Sequence, residues 1–86
     1  MIIHIGNDII LHEEEIIGIF DLENSSISKF TKEYLRKKQQ ENEVITVTKE
    51  MPKSFIVTVH QKKETVYLSQ LAPSTLKKRS DGKYSK

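Results

Sequence analysis

The sequence predicts a small α+β domain with a mixed or antiparallel sheet of about six short strands, one main helix and a short C-terminal helix. Three observations support this prediction. Two β-prone runs, residues 55–60 and 65–69, flank a charged turn, which is a hairpin signal. Apolar residues recur at helical spacing over residues 27–35. Pro73 then opens a short run that ends in three cations and suits a first helical turn.

The N-terminal third is predicted to form three strands. The apolar runs 1–5 and 9–11 flank the turn signal Gly6-Asn7-Asp8, so they should pair as a hairpin. Residues 16–20 form a third β-prone run. Gly18 inside that run indicates a bulge or a close backbone approach.

The main helix is predicted to begin after a cap at Ser25 or Ser26 and to end near Gln40. One face carries the apolar set Ile27, Phe30, Tyr34 and Leu35. The opposite face carries the basic set Lys29, Lys32 and Arg36. The apolar stripe should pack on the sheet, and the basic stripe is either a solvated face or a binding surface.

A fourth strand is predicted at residues 44–48, and a loop containing Pro52 follows it. The C-terminal helix should cover residues 74–79. The hydrophobic core is predicted to centre on one set of apolar residues, namely Ile17, Ile19, Phe30, Leu35, Val57 and Leu68.

Length and composition indicate one domain, residues 1–80, followed by a disordered basic tail at 81–86. With 36% hydrophobic and 30% charged residues, the core of an 86-residue chain is marginal, which favours a homo-oligomer. The absence of cysteine excludes disulfides and thiolate metal sites. No apolar run is long enough for a membrane span and no signal peptide is recognisable, so we expect a cytoplasmic protein with no membrane partner.

Charge is distributed unevenly along the chain. Residues 1–28 contain six acidic residues and no lysine or arginine, whereas residues 44–86 contain nine basic and three acidic residues. This asymmetry favours a polyanionic partner for the basic half or head-to-tail self-association, and it is also compatible with ordinary surface solvation.

No enzyme motif is present, and we expect no catalytic residue, no cofactor, no metal site and no small-molecule substrate. The sequence has no glycine-rich phosphate loop and no histidine pair at helical metal spacing. His12 lies beside Glu13–Glu15, but that segment is predicted as strand and turn rather than as a metal-binding helix.

The remaining candidates for chemistry are basic residues in two clusters. Lys49 and Lys53 bracket the loop before the fifth strand, and Lys77, Lys78 and Arg79 end the last helix. Such clusters neutralise phosphates and release counterions, which supplies sequence-independent affinity for double-stranded DNA. The alternative for the second cluster is helix capping and solubility.

Four segments together resemble the Rem family of small bacterial extracellular-matrix regulatory proteins, and in particular its RemB-like branch. They are His4-Ile5-Gly6, the run from Ile16 to Asp21, Pro52-Lys53-Ser54 with the following Ile56-Val57-Thr58-Val59, and Ser74-Thr75-Leu76-Lys77-Lys78-Arg79. The resemblance extends to about Arg79 and contains no catalytic signature.

The resemblance implies an α/β subunit that assembles into closed rings. In the RemA-like branch such rings bind DNA and activate matrix and biofilm genes. That branch has an arginine before the third strand and an arginine pair in the loop before the fifth. This chain has Glu15 at the first place and Lys49-Glu50-Met51-Pro52-Lys53 at the second. Two functions therefore stay open: a ring-forming DNA-binding regulator, and a non-DNA-binding interaction module of the same pathway.

Overall fold

The computed structural model describes residues 2–22 and 28–79. The strands are β1 (Ile2–Gly6), β2 (Ile9–His12), β3 (Ile16–Asp21), β4 (Val44–Thr46), β5 (Ser54–His60) and β6 (Lys63–Ser69). The helices are α1 (Lys29–Gln40) and α2 (Pro73–Arg79), and a 3-10 turn spans Glu13–Glu15. The predicted α+β class, with a main helix and a short C-terminal helix, is confirmed.

The strands are divided between two sheets. β1 and β2 form an antiparallel hairpin, and the other four strands form a mixed sheet in the order β3-β5-β6-β4. Among the described strands, only β4 and β6 pair in parallel. Both two-residue hairpin turns, Asn7-Asp8 and Gln61-Lys62, have positive φ at each position, which suits the right-handed twist of the flanking strands.

The β1–β2 hairpin and α2 cover one face of the four-stranded sheet. The core between them contains seven buried apolar residues: Ile3, Ile5, Leu11, Ile16, Val47, Ile56 and Leu76. Ser69 donates from its hydroxyl to the Ile5 carbonyl at 2.7 Å, and the Asn7 side-chain amide donates to the Val47 carbonyl. These bonds fix the hairpin on the sheet while satisfying polar groups that would be costly to bury alone.

The helix α1 covers the opposite face, where Phe55, Val57 and Val66 are buried. Tyr34 and Leu35 pack against this cluster. The helix begins at an N-cap on Ser28, whose hydroxyl accepts from the Thr31 backbone N–H at 3.1 Å. The caps predicted at Ser25 or Ser26 lie outside the described residues, as do Ile27 and the tail at 81–86.

The prediction that Ile17 and Phe30 belong to the core is wrong. Ile17 is 60% exposed, because a bulge between Ile16 and Gly18 breaks the alternation and gives the buried position to Ile16. Phe30 is 82% exposed, because it lies in the first turn of α1 and the helix meets the sheet further along, through Tyr34 and Leu35. The bulge that Gly18 indicated is confirmed. Val57 is buried, and the other three predicted core residues are partly buried: Ile19, Leu35 and Leu68.

The fourth strand is shorter than predicted. The ladder ends at Thr46, and Val47 turns into the core while its N–H donates to the Leu68 carbonyl at 2.8 Å. Within the described ranges, neither helix is long and apolar enough to cross a lipid bilayer.

Candidate nucleic-acid interface

The basic loop, residues 49–53, projects from one end of the four-stranded sheet. Its two flanks are held by backbone bonds: the Lys53 N–H donates to the Ser69 carbonyl at 2.8 Å, and the Leu22 N–H donates to the Lys53 carbonyl at 2.8 Å. At the other flank, the Glu50 N–H donates to the Thr48 hydroxyl at 2.9 Å. The ends of β3, β5 and β6 therefore position this loop, although it contains no regular secondary structure itself.

The side chains of the basic loop face solvent. Lys49 and Lys53 are exposed, and Met51 between them is 87% exposed. A shallow hollow of about 470 Å³ lies beside the loop and includes Leu22 and Pro52 in its walls. Two exposed cations on a loop that is anchored at both ends suit contacts with phosphates, which need charge more than fixed geometry.

The second basic cluster is held by different elements from those that hold the basic loop. Leu76 of α2 is buried against the hairpin side of the sheet, and the helix packs on β1 and β3. The Arg79 guanidinium donates to the His4 carbonyl of β1 at 3.2 Å, while Lys77 is half-buried and Lys78 is exposed. The sheet end positions the basic loop, and α2 with the β1–β2 hairpin positions the second cluster.

The position before β3 is acidic and already has a partner. The Glu15 carboxylate contacts the imidazole Nδ1 of His60, at the far end of β5 from the basic loop. A cleft of about 310 Å³ lies beside this pair and also includes His12 and Lys63. Within residues 2–22 and 28–79, no group of three or more histidine and acidic side chains could hold a metal ion.

A network of four ionisable side chains ties α1 to the sheet. Tyr34 donates from its hydroxyl to the Glu64 carboxylate, and the Lys38 ammonium lies 2.9 Å from a Glu43 oxygen and 3.4 Å from a Glu64 oxygen. Partial burial and the bond to Glu64 raise the pKa of Tyr34. The same bond lowers the pKa of Glu64, and the bond to Lys38 lowers that of Glu43.

Lys38 therefore helps to hold α1 on the sheet, and we do not include it in a phosphate-binding surface. The bond to Glu43 also raises the pKa of Lys38. Sequence reasoning missed the network because Tyr34 and Glu64 are 30 residues apart and belong to different elements.

Sequence reasoning also missed an open apolar groove between α1 and the β3–β5 half of the sheet. This aromatic groove has a volume of about 290 Å³ and is lined by Phe20, Phe30, Thr31, Tyr34, Phe55 and Val57. Phe20 stacks on Phe55 with ring centroids 4.9 Å apart and an angle of 21° between the planes. Gly18 makes this possible, since a Cβ at that position would lie 2.6 Å from the Phe20 ring.

Comparison with known proteins places this architecture in one family. Residues 2–79 match the family model described as RemA-like, extracellular matrix regulatory protein A-like. The chain is 39% identical over 80 residues to extracellular matrix regulatory protein B of Bacillus subtilis (strain 168), covering 93% of this chain and 90% of that protein. A match over nearly the whole chain includes the sheet, both helices and the basic loop. The chain belongs to the RemA-like family of extracellular matrix regulatory proteins.

Proposed function

We propose that this protein is a DNA-binding transcriptional regulator of extracellular-matrix and biofilm genes, and that it acts as a ring-forming homo-oligomer in the cytoplasm. Membership of a regulatory family supports the regulatory role. The observation that carries DNA binding is the basic loop, with exposed Lys49 and Lys53 anchored at the end of the sheet.

The proposed contact is with the phosphate backbone. Each lysine ammonium is a point charge that neutralises a phosphate and releases a counterion, so affinity should fall steeply as salt rises. One subunit presents few such charges and would bind weakly. A ring presents the basic loop once per subunit, and this repetition raises the overall affinity through effective concentration.

The exposed Lys78 and Arg79 of α2 offer a second, weaker contact. Arg79 already donates to the His4 carbonyl, and its charge stays available to solvent at the helix end. Lysine lacks the bidentate fork by which arginine reads guanine edges, so we expect a modest sequence preference.

A second candidate function is a non-DNA-binding interaction module of the same pathway. The acidic character of residues 2–22 favours it, as does Glu15, which sits directly before β3 and contacts His60. The absence of arginine from the basic loop points the same way.

The test is a salt titration of duplex DNA binding, together with the oligomeric mass at the same protein concentrations. Lys49→Glu/Lys53→Glu should weaken binding at least tenfold for every duplex sequence, lower the salt slope and leave the oligomer intact. The matched control is Lys62→Glu/Lys63→Glu, which makes the same charge change on two exposed residues, one in the β5–β6 turn and one at the start of β6.

Equal losses in the two double variants would mean that net charge, rather than the basic loop, determines binding. No binding by the wild-type protein at low salt would favour the interaction module. A wild-type protein that binds DNA as a 10.0 kDa monomer would overturn the oligomeric part of the proposal.

A further inference from the structure

The aromatic groove exposes more apolar surface than an isolated subunit needs. Phe20 is 45% exposed and Phe30 is 82% exposed, although both rings line the same hollow. A contiguous exposed apolar patch of this kind is typical of an interaction site on a protein surface. The hollow is open along one side, so it suits a protruding side chain of a protein better than an enclosed small molecule.

The helix that forms one wall of the groove is thinly covered. None of the residues of α1 is buried in the described subunit. A helix of 12 residues is marginal in water without tertiary packing, because nucleation is costly. α1 therefore gains stability from a cover, and a second copy of the same chain, which is present wherever the protein is, supplies one more consistently than a transient partner.

Charge indicates which part of the second copy supplies the cover. Residues 29–40 contain five basic residues and one acidic residue, so α1 carries a strong positive charge. Residues 2–22 contain five acidic residues and no lysine or arginine. The two segments are complementary in sign, and contacts between them would be steered by their opposite potentials.

The acidic segment also presents an apolar side chain to insert. Ile17 is 60% exposed on β3, an edge strand of the four-stranded sheet. It is the second residue after the 3-10 turn and lies three residues after the exposed Glu14. An isoleucine that closely follows acidic residues suits an aromatic groove beside a helix whose exposed surface carries Lys29 and Lys32.

We propose that Ile17 of one copy inserts into the aromatic groove of a second copy, with the acidic segment 2–22 of the first copy beside the basic helix α1 of the second. The proposed arrangement is heterologous rather than a two-fold exchange of isoleucines, so each subunit offers its donor and its groove to two different neighbours. This inference rests on the homo-oligomer of the proposed function and adds the residues that form the contact and its direction.

Disulfide trapping tests the contact, since the natural chain contains no cysteine. Ile17→Cys and Thr31→Cys place one thiol on the donor strand and one on the groove wall. Each variant alone should stay uncross-linked under mild oxidation, and an equimolar mixture should give a heterodimer. The double variant should give a ladder of higher species. The control, Ile17→Cys mixed with Lys62→Cys, should remain uncross-linked because Lys62 does not line the groove.

A second pair of variants tests the direction without oxidation. Ile17→Glu and Phe30→Glu each change an exposed residue, so both subunits should fold. Each should be monomeric alone, and an equimolar mixture should form a 1:1 complex that grows no further, because one intact donor meets one intact groove.

The outcomes separate this inference from the proposed function. Cross-linking of Thr31→Cys with itself would show that grooves pair with each other and would overturn the proposal. An oligomeric wild-type protein without the mixed cross-link would overturn the Ile17 contact alone. A monomeric wild-type protein without cross-links would overturn both the contact and the homo-oligomer, whatever its affinity for DNA.

Discussion

One face of the four-stranded sheet is closed, and the other is partly open. On the closed face, the β1–β2 hairpin and α2 enclose Ile3, Ile5, Ile56 and Leu76, each at most 1% exposed. On the open face, α1 packs through half-buried Tyr34 and Leu35 and leaves the aromatic groove beside it.

Because of this difference, we expect the two faces to contribute to different properties, the closed face to folding and the open face to assembly. The closed face holds most of the buried apolar surface and should dominate the free energy of unfolding. The open face combines exposed rings, a strongly charged helix and polar attachments, so it should contribute more to assembly than to folding. Variants on the two faces should consequently affect different measurements.

The largest expected effect is a cavity on the closed face. Ile56→Ala removes a side chain that is 0% exposed, and it should lower the free energy of unfolding by about 2–5 kcal/mol. Phe30→Ala on the open face should cost less than about 1 kcal/mol, because the larger ring is mostly in water. Urea unfolding of both variants, made in the Ile17→Glu background, measures the subunit without its neighbours.

The critical result is that Ile56→Ala should destabilise the subunit more than Phe30→Ala. If Phe30→Ala destabilised the monomeric subunit as much as Ile56→Ala, the open face would be as well packed as the closed one. The contrast between the two faces would then be wrong.

A smaller effect is expected from crowding the open face at Gly18. A Cβ at this position would lie 2.6 and 2.7 Å from two carbons of the Phe20 ring, so the ring must shift from its present position against Phe55. Gly18→Ala should cost about 1–3 kcal/mol through this overpacking. It should also weaken assembly, because Phe20 lines the groove.

A double-mutant cycle isolates the cause. In a Phe20→Ala background, Gly18→Ala should be nearly neutral, because the ring that it meets is gone. Urea midpoints of the four proteins give the coupling energy. A cost that persists without the ring would place the effect in the backbone of β3 instead.

The sequence predicted the elements well, because local signals dominate them. Alternating β-prone runs, the two turns and Pro73 each specify one conformation through a few neighbouring residues. Ile17 and Phe30 were assigned wrongly to the core for a non-local reason. The bulge at Gly18 shifts which isoleucine points inward, and the position of α1 on the sheet decides which of its turns is covered.

For the candidate interface too, local features could be predicted from the sequence and non-local ones could not. The exposure of Lys49 and Lys53 could be predicted, since a charged loop containing proline rarely enters a core. The aromatic groove could not, because its walls come from β3, α1 and β5, which are distant in sequence. The Tyr34–Glu64 bond could not be predicted either, for the same reason.

The smallest expected effect concerns that bond, which attaches α1 to β6 on the open face. At neutral pH, Tyr34→Phe should cost about 0.5–1.5 kcal/mol, the usual net value of one hydrogen bond. The pKa of Glu64 is lowered in the folded protein, so its contribution is present above the ordinary glutamate pKa of about 4.3 and is lost as pH falls through the folded value.

At alkaline pH, the contribution of this bond to stability is lost as the pH rises. The pKa of Tyr34 is raised, so its contribution is fully present below the ordinary tyrosine pKa of about 10 and is lost as pH rises toward the folded value. The difference in unfolding free energy between wild type and Tyr34→Phe should therefore be largest between about pH 5 and pH 9 and should shrink on both sides. Urea unfolding at a series of pH values measures this profile, with Tyr67→Phe as the control on the same sheet. A difference that stays constant with pH would mean that ring packing, rather than the bond to Glu64, holds this end of α1.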